Sequence, residues 1–104
     1  LMCFAHVLLN ALDLEARGHE VTVVIEGSAT KLVQELHDAP DKPFANLYAQ
    51  VKEHGLIDCV CKACSAKMGS KESAEAQGLR LDGEMSGHPA VARFVEAGYQ
   101  VLVF

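Results

Sequence analysis

Lys52-Glu53-His54-Gly55-Leu56-Ile57-Asp58-Cys59-Val60-Cys61-Lys62-Ala63-Cys64 holds, in one short run, a helix end, a glycine, a strand and the start of the next helix. Glycine reaches the left-handed conformation without a Cβ penalty, so a helix can stop there and the chain turn directly into a strand. The same phrase recurs at Glu15-Ala16-Arg17-Gly18 before His19-Glu20-Val21, at Glu75-Ala76-Gln77-Gly78 before Leu79-Arg80-Leu81, and at Val95-Glu96-Ala97-Gly98 before Tyr99-Gln100-Val101. Four such junctions predict a chain that alternates helix and strand.

Val21-Thr22-Val23-Val24-Ile25 and Val101-Leu102-Val103-Phe104 are nearly continuous apolar runs, the pattern of strands covered by helices on both faces. The expected fold is therefore α/β, a three-layer α/β/α arrangement around a mainly parallel sheet, in a single domain over residues 1–104. Pro43 and Pro89 suit first helical positions ahead of Phe44, Leu47, Tyr48, Val51 and of Val91, Phe94, Val95. Ser28 and Ser70 are candidate caps for the helices that follow them. Asp38 to Lys42, with Pro40, reads as a loop. The first helix, roughly Met2 to Arg17, is apolar nearly all round and is expected to be buried on more than one side. Such a helix normally follows a central strand, so the cover is expected from a strand upstream of Leu1 or from a partner chain.

Length and charge bound the function classes. The chain has 104 residues, fourteen Asp+Glu against nine Lys+Arg and a net charge of −5, with no basic run. That balance argues against nucleic acid as a direct partner. Its longest apolar stretches fall far short of the ~20 residues of a membrane helix, which predicts a soluble protein. There is no secretory signal pattern, and Cys59, Cys61 and Cys64 crowd together among long regular segments rather than framing loops. Reduced thiols in a cytoplasmic chain are the expectation.

In an open parallel sheet, ligands bind outside the carboxyl ends of the strands. Met2-Cys3, Glu26-Gly27-Ser28, Cys61 to Cys64, and Gly83 to His88 are all expected on that rim. Alternation sends Cys59 and Cys61 to one face, and Cys61 falls where the strand stops. Cys64 falls in the first turn of the next helix, where the dipole and nearby Lys62 favour thiolate. A thiolate there can attack a disulfide or accept sulfane sulfur, with the second cysteine placed to resolve it. Cys59 reads as packing, Cys61 as chemistry, and Cys64 serves either role. His88, before Pro89, is read as a helix N-cap that either orients a substrate or thiol or merely starts the helix. Glu26 is a possible acid or base, and otherwise a solvated rim carboxylate. His6 reads as a core histidine, and His19, His37 and His54 as solvent-facing. Met2, Met68 and Met85 fit core filling or a soft apolar pocket. A zinc site built from Cys3, Cys61, Cys64 and His88 is the rival reading.

Met2-Cys3-Phe4, Gly18-His19-Glu20-Val21 leading to Ile25-Glu26-Gly27, and Val60-Cys61-Lys62-Ala63-Cys64 with Gly69 resemble the DsrE/DsrF-like family. The group includes sulfur-relay subunits and small YchN-like proteins. The resemblance implies a parallel α/β/α sheet and homo-oligomers of trimeric or hexameric order. It also implies a sulfur carrier or redox thiol at Cys61, with Cys64 matching the second cysteine of the YchN-like branch, and sulfur donor or acceptor proteins as partners. Cys3, Cys59 and Asp82 to Pro89 lie outside the relay pattern.

Overall fold

β-branched residues favour extended backbone, yet a strand forms only where a neighbour completes its hydrogen bonds. In the computed structural model, which describes residues 2–104, that selection leaves three short strands. The element order is α1 (Met2–Ala16), β1 (Val23–Ile25), α2 (Thr30–Asp38), α3 (Ala45–Glu53), β2 (Ile57–Cys61), α4 (Lys62–Met68), α5 (Lys71–Ala76), β3 (Leu81–Asp82) and α6 (Val91–Glu96). The sheet order is β1-β2-β3 and every pairing is parallel. Its register aligns Ile25 with Val60 and Cys61 with Asp82, so the carboxyl ends of all three strands share one rim. The fold is α/β, as the glycine junctions predict, and Gly18, Gly55, Gly78 and Gly98 all hold positive φ.

The two faces of β2 divide the molecule. Val60 joins Phe4, Leu8, Val33, Tyr48 and Val51 in the buried core, where α1 packs on α3 and α2 packs on α3, α4 and α5. Cys59 and Cys61 alternate to the opposite face and meet Arg93 of α6 and the segment carrying Gly87 and His88. That side is held by charge. Arg93 Nη2 lies 2.6 Å from Asp82 Oδ2 and 3.1 Å from Asp58 Oδ2, its Nε lies 3.2 Å from Glu84, and Arg80 reaches the same two aspartates. Networked guanidinium contacts of this kind anchor better than single surface pairs.

Several local expectations are corrected. Val101 to Phe104 forms no strand; Val103 is 92% exposed, and the run lines the rim of an open apolar cleft of about 1110 Å³ beside β1. The segment is apolar, but no strand among the described residues pairs with it. α1 is buried along Phe4, Ala5, Leu8 and Ala11, while Met2 and Leu9 are exposed. His6 lies on that exposed face, so it is not a core histidine. Met2, Met68 and Met85 are likewise exposed and build no common pocket.

The expected helix starts shift for reasons of local geometry. Ser28 sits inside a 3-10 turn, Gly27–Ala29, and Thr30 Oγ1 instead donates to the Gly27 carbonyl at 2.8 Å. Ser70 does precede α5, but its buried hydroxyl donates to the Thr30 carbonyl, tying α5 to α2 rather than capping. Phe44, at φ 71°, precedes α3, so Pro43 lies outside the helix. α6 begins at Val91, two residues after Pro89.

Candidate functional site

Three soft or basic donors meet where β2 ends. Cys61, fully buried, closes the strand and occupies the N-cap of α4; its Sγ accepts the backbone N–H of Cys64 at 3.4 Å. Cys64, half-buried, follows in the first helical turn as the Cys-x-x-Cys spacing predicts. His88 Nδ1 lies 3.1 Å from Cys61 Sγ and 3.8 Å from Cys64 Sγ. The cluster comes from separate parts of the chain, brought together by parallel pairing of β2 and β3.

The histidine is placed by a turn. Ser86 and Gly87 hold φ of 50° and 94°, and Met85 and His88 exchange both backbone hydrogen bonds, at 2.8 and 3.0 Å. Positive φ at both central residues marks a two-residue turn of type I′. His88 is thus the last residue of a tight hairpin, not a helix cap. The Gly87 carbonyl accepts the Ala63 N–H at 2.8 Å and lies 3.8 Å from Cys61 Sγ, pinning the hairpin to the start of α4. From the other side, Glu84 accepts the Ala90 N–H and the Arg93 Nε–H, which hold its carboxyl below the usual carboxylate range.

A Cβ on Gly87 would stand 3.1 Å from the Ala63 Cβ on a backbone that L-residues rarely adopt. Gly87→Ala is therefore expected to destabilise the fold by about 1 kcal/mol and to move His88 away from the thiols. Faster alkylation of Cys61 at unchanged global stability would contradict the first half of that expectation. Unchanged His88 chemical shifts would contradict the second.

Electrostatics separate the cysteines. Burial pushes the Cys61 thiol above the ordinary value, opposed by the Cys64 N–H, which favours the thiolate. Cys59 is pushed up to about 12, first by burial and then by Asp58 and Asp82. With Arg93 3.6 Å from its sulfur, Cys59 is a packed and protonated thiol rather than a nucleophile.

The remaining sequence-designated residues lie elsewhere. Cys3, on the first turn of α1, is exposed and does not join the donors that lie within 4.8 Å of one another. It lines the apolar cleft together with Glu26 and Gly27, both exposed. The four-donor set with Cys3 is thereby reduced to three. His19, His37 and His54 face solvent, and His54 Nδ1 lies 2.6 Å from Glu15. Sequence reasoning missed Ser86-Gly87 as the positioning turn, although that dipeptide is itself the signal, and it missed the Arg93 anchor, which pairs with distant residues.

Cysteine at the end of a central parallel strand, with a spaced cysteine in the next helix, is the arrangement to compare with known proteins. Residues 5–104 match the DsrE/DsrF-like family. The chain belongs to that family. A relative from Methanocaldococcus jannaschii, "Uncharacterized protein MJ0733", is 28% identical over 97 residues, covering 93% of this chain and 76% of that protein. An "Uncharacterized protein" from Archaeoglobus fulgidus is 46% identical over 37 residues, which are 36% of this chain and all of that protein. No solved structure matches the chain at comparable significance. No helix among the described residues is long and apolar enough to cross a membrane.

Proposed function

We propose that this DsrE/DsrF-like chain carries sulfane sulfur as a persulfide on Cys61, in a reducing cytoplasmic setting and as a homo-oligomer that exchanges sulfur with donor and acceptor proteins. The observation that carries the reading is the approach of His88 Nδ1 to Cys61 Sγ at 3.1 Å, with the Cys64 N–H donated to the same sulfur. His88 takes the thiol proton, and the Cys64 N–H stabilises the thiolate left behind. The thiolate attacks the terminal sulfur of a donor persulfide; the donor S–S bond breaks, the donor leaves as a thiolate, and Cys61 holds the persulfide.

Two discharges are open to the loaded chain. An acceptor thiolate takes the terminal sulfur and restores the Cys61 thiolate. Alternatively, the Cys64 thiolate attacks Cys61 Sγ, expels hydrosulfide and closes a Cys61–Cys64 disulfide, which a thiol reductant reopens. The exposed apolar residues Leu9, Val101, Leu102 and Val103 are compatible with self-association.

The reading is tested by treating reduced protein with a low-molecular-weight persulfide and mapping the product by mass spectrometry. A reductant-labile gain of roughly 32 Da on Cys61 is the expected product. The same adduct on Cys3 with Cys61 unmodified would overturn the assignment.

A further inference from the structure

We infer that Cys61, Cys64 and His88 also form a three-ligand Zn²⁺ site with its fourth position open. The inference rests on donor chemistry and spacing rather than on sulfur carriage, and zinc and sulfane sulfur compete for the same Cys61 thiolate. Their ligand atoms all lie within 4.8 Å of one another. A tetrahedral zinc bound at about 2.3 Å to sulfur and about 2.0–2.1 Å to nitrogen sets S···N edges of about 3.6 Å. The observed 3.1 and 3.8 Å fall on either side of that value, so small side-chain rotations suffice. Two thiolates and an imidazole suit zinc over the hard, oxygen-seeking cations.

The scaffold supports the same conclusion. Cys61 and Cys64 are fixed by the end of β2 and the first turn of α4, and the I′ turn fixes His88, so little ordering is left for the metal to impose. Cys61 is buried while Cys64 and His88 are half-buried, leaving one side of the cluster facing solvent. Three protein ligands and one accessible position form the pattern of zinc sites that bind water or a small ligand, rather than of closed structural sites. A second cluster, Asp58, Cys59 and Asp82, does not compete, because Arg80 and Arg93 already neutralise its carboxylates.

Anaerobic titration of the reduced full chain with Co²⁺, followed by displacement with Zn²⁺, tests the site. One equivalent of Co²⁺ is expected to give tetrahedral d–d bands and a sulfur-to-metal charge-transfer band. Cys64→Ser should roughly halve the charge-transfer intensity and His88→Ala should weaken binding at least tenfold, while Cys3→Ser changes neither. Zn²⁺ should slow alkylation of Cys64 at least tenfold and leave exposed Cys3 unprotected, a readout that holds even if a variant folds poorly. No tetrahedral band, a band undiminished in Cys64→Ser, or zinc protection confined to Cys3 would overturn the site. Persulfide mapping on metal-free protein reads the sulfur-carrier proposal separately.

Discussion

Cys61→Ser is expected to abolish persulfide uptake, and Cys64→Ser to preserve uptake while removing the hydrosulfide release that accompanies internal disulfide closure. The asymmetry follows from placement. Cys61 Sγ accepts the Cys64 backbone N–H, a donor that survives the Cys64→Ser change, whereas the Cys64 thiol that remains once Cys61 is lost lies farther from His88 Nδ1, at 3.8 Å against 3.1 Å. Cys59, on the same face, is held protonated with its pKa raised to about 12. The pH dependence carries its own sign. Burial raises the Cys61 thiol, so the thiolate is the minor form at neutral pH. Loading should accelerate with pH, by about tenfold per unit where thiolate fraction limits the rate, and level off above the raised pKa. His88→Ala is expected to slow loading about 10²-fold at pH 7 and far less at alkaline pH, where solvent removes the proton. Loading rates measured across pH for the parent chain and the three variants check all of this. A pH-independent rate, or a His88→Ala deficit that persists at high pH, would remove the proton-transfer role.

The sequence was most legible where one short segment decides its own conformation. Gly55 ends a helix and Cys61 ends a strand because left-handed backbone and helix start are encoded within a few residues, and both appear at those positions. Val101 to Phe104 is an apolar run like Val21 to Ile25, though less β-branched, yet only the latter contains a strand, since Val23 to Ile25 finds β2 as a neighbour. Strand formation is settled by a distant partner, which composition does not reveal. His88 shows the reverse failure. Pro89 drew the reading toward a helix start, while the stronger local signal, Ser86-Gly87, placed the imidazole through a turn. Arg93 escaped notice because its partners Asp58 and Asp82 become neighbours only after β2 and β3 pair.

Tyr48→Ala is expected to destabilise the fold by about 3–5 kcal/mol, and Tyr48→Phe by only about 1 kcal/mol. Tyr48 is 1% exposed, packs within the core and lies 6.4 Å, ring to ring, from Phe4. Truncation removes the whole ring from a buried site where α3 packs against α1 and α2, and leaves a cavity there. The hydroxyl contributes differently. It donates to Gln77 Oε1 at 2.6 Å, and Lys52 donates to the same oxygen at 3.1 Å. Gln77 Nε2 in turn reaches the Val33 carbonyl and Ser73 Oγ, both at 3.0 Å, joining α2, α3 and α5 through one amide. Phenylalanine leaves that amide with its other three partners, so the lost bond costs little. Each kcal/mol lowers the Tm of a domain near this size by about 4–8 °C, which separates the two variants clearly in thermal melts. Equal losses for both would mean that the Gln77 link, not the buried ring, holds the three helices together; then Gln77→Ala should match Tyr48→Ala, a result that packing alone does not predict.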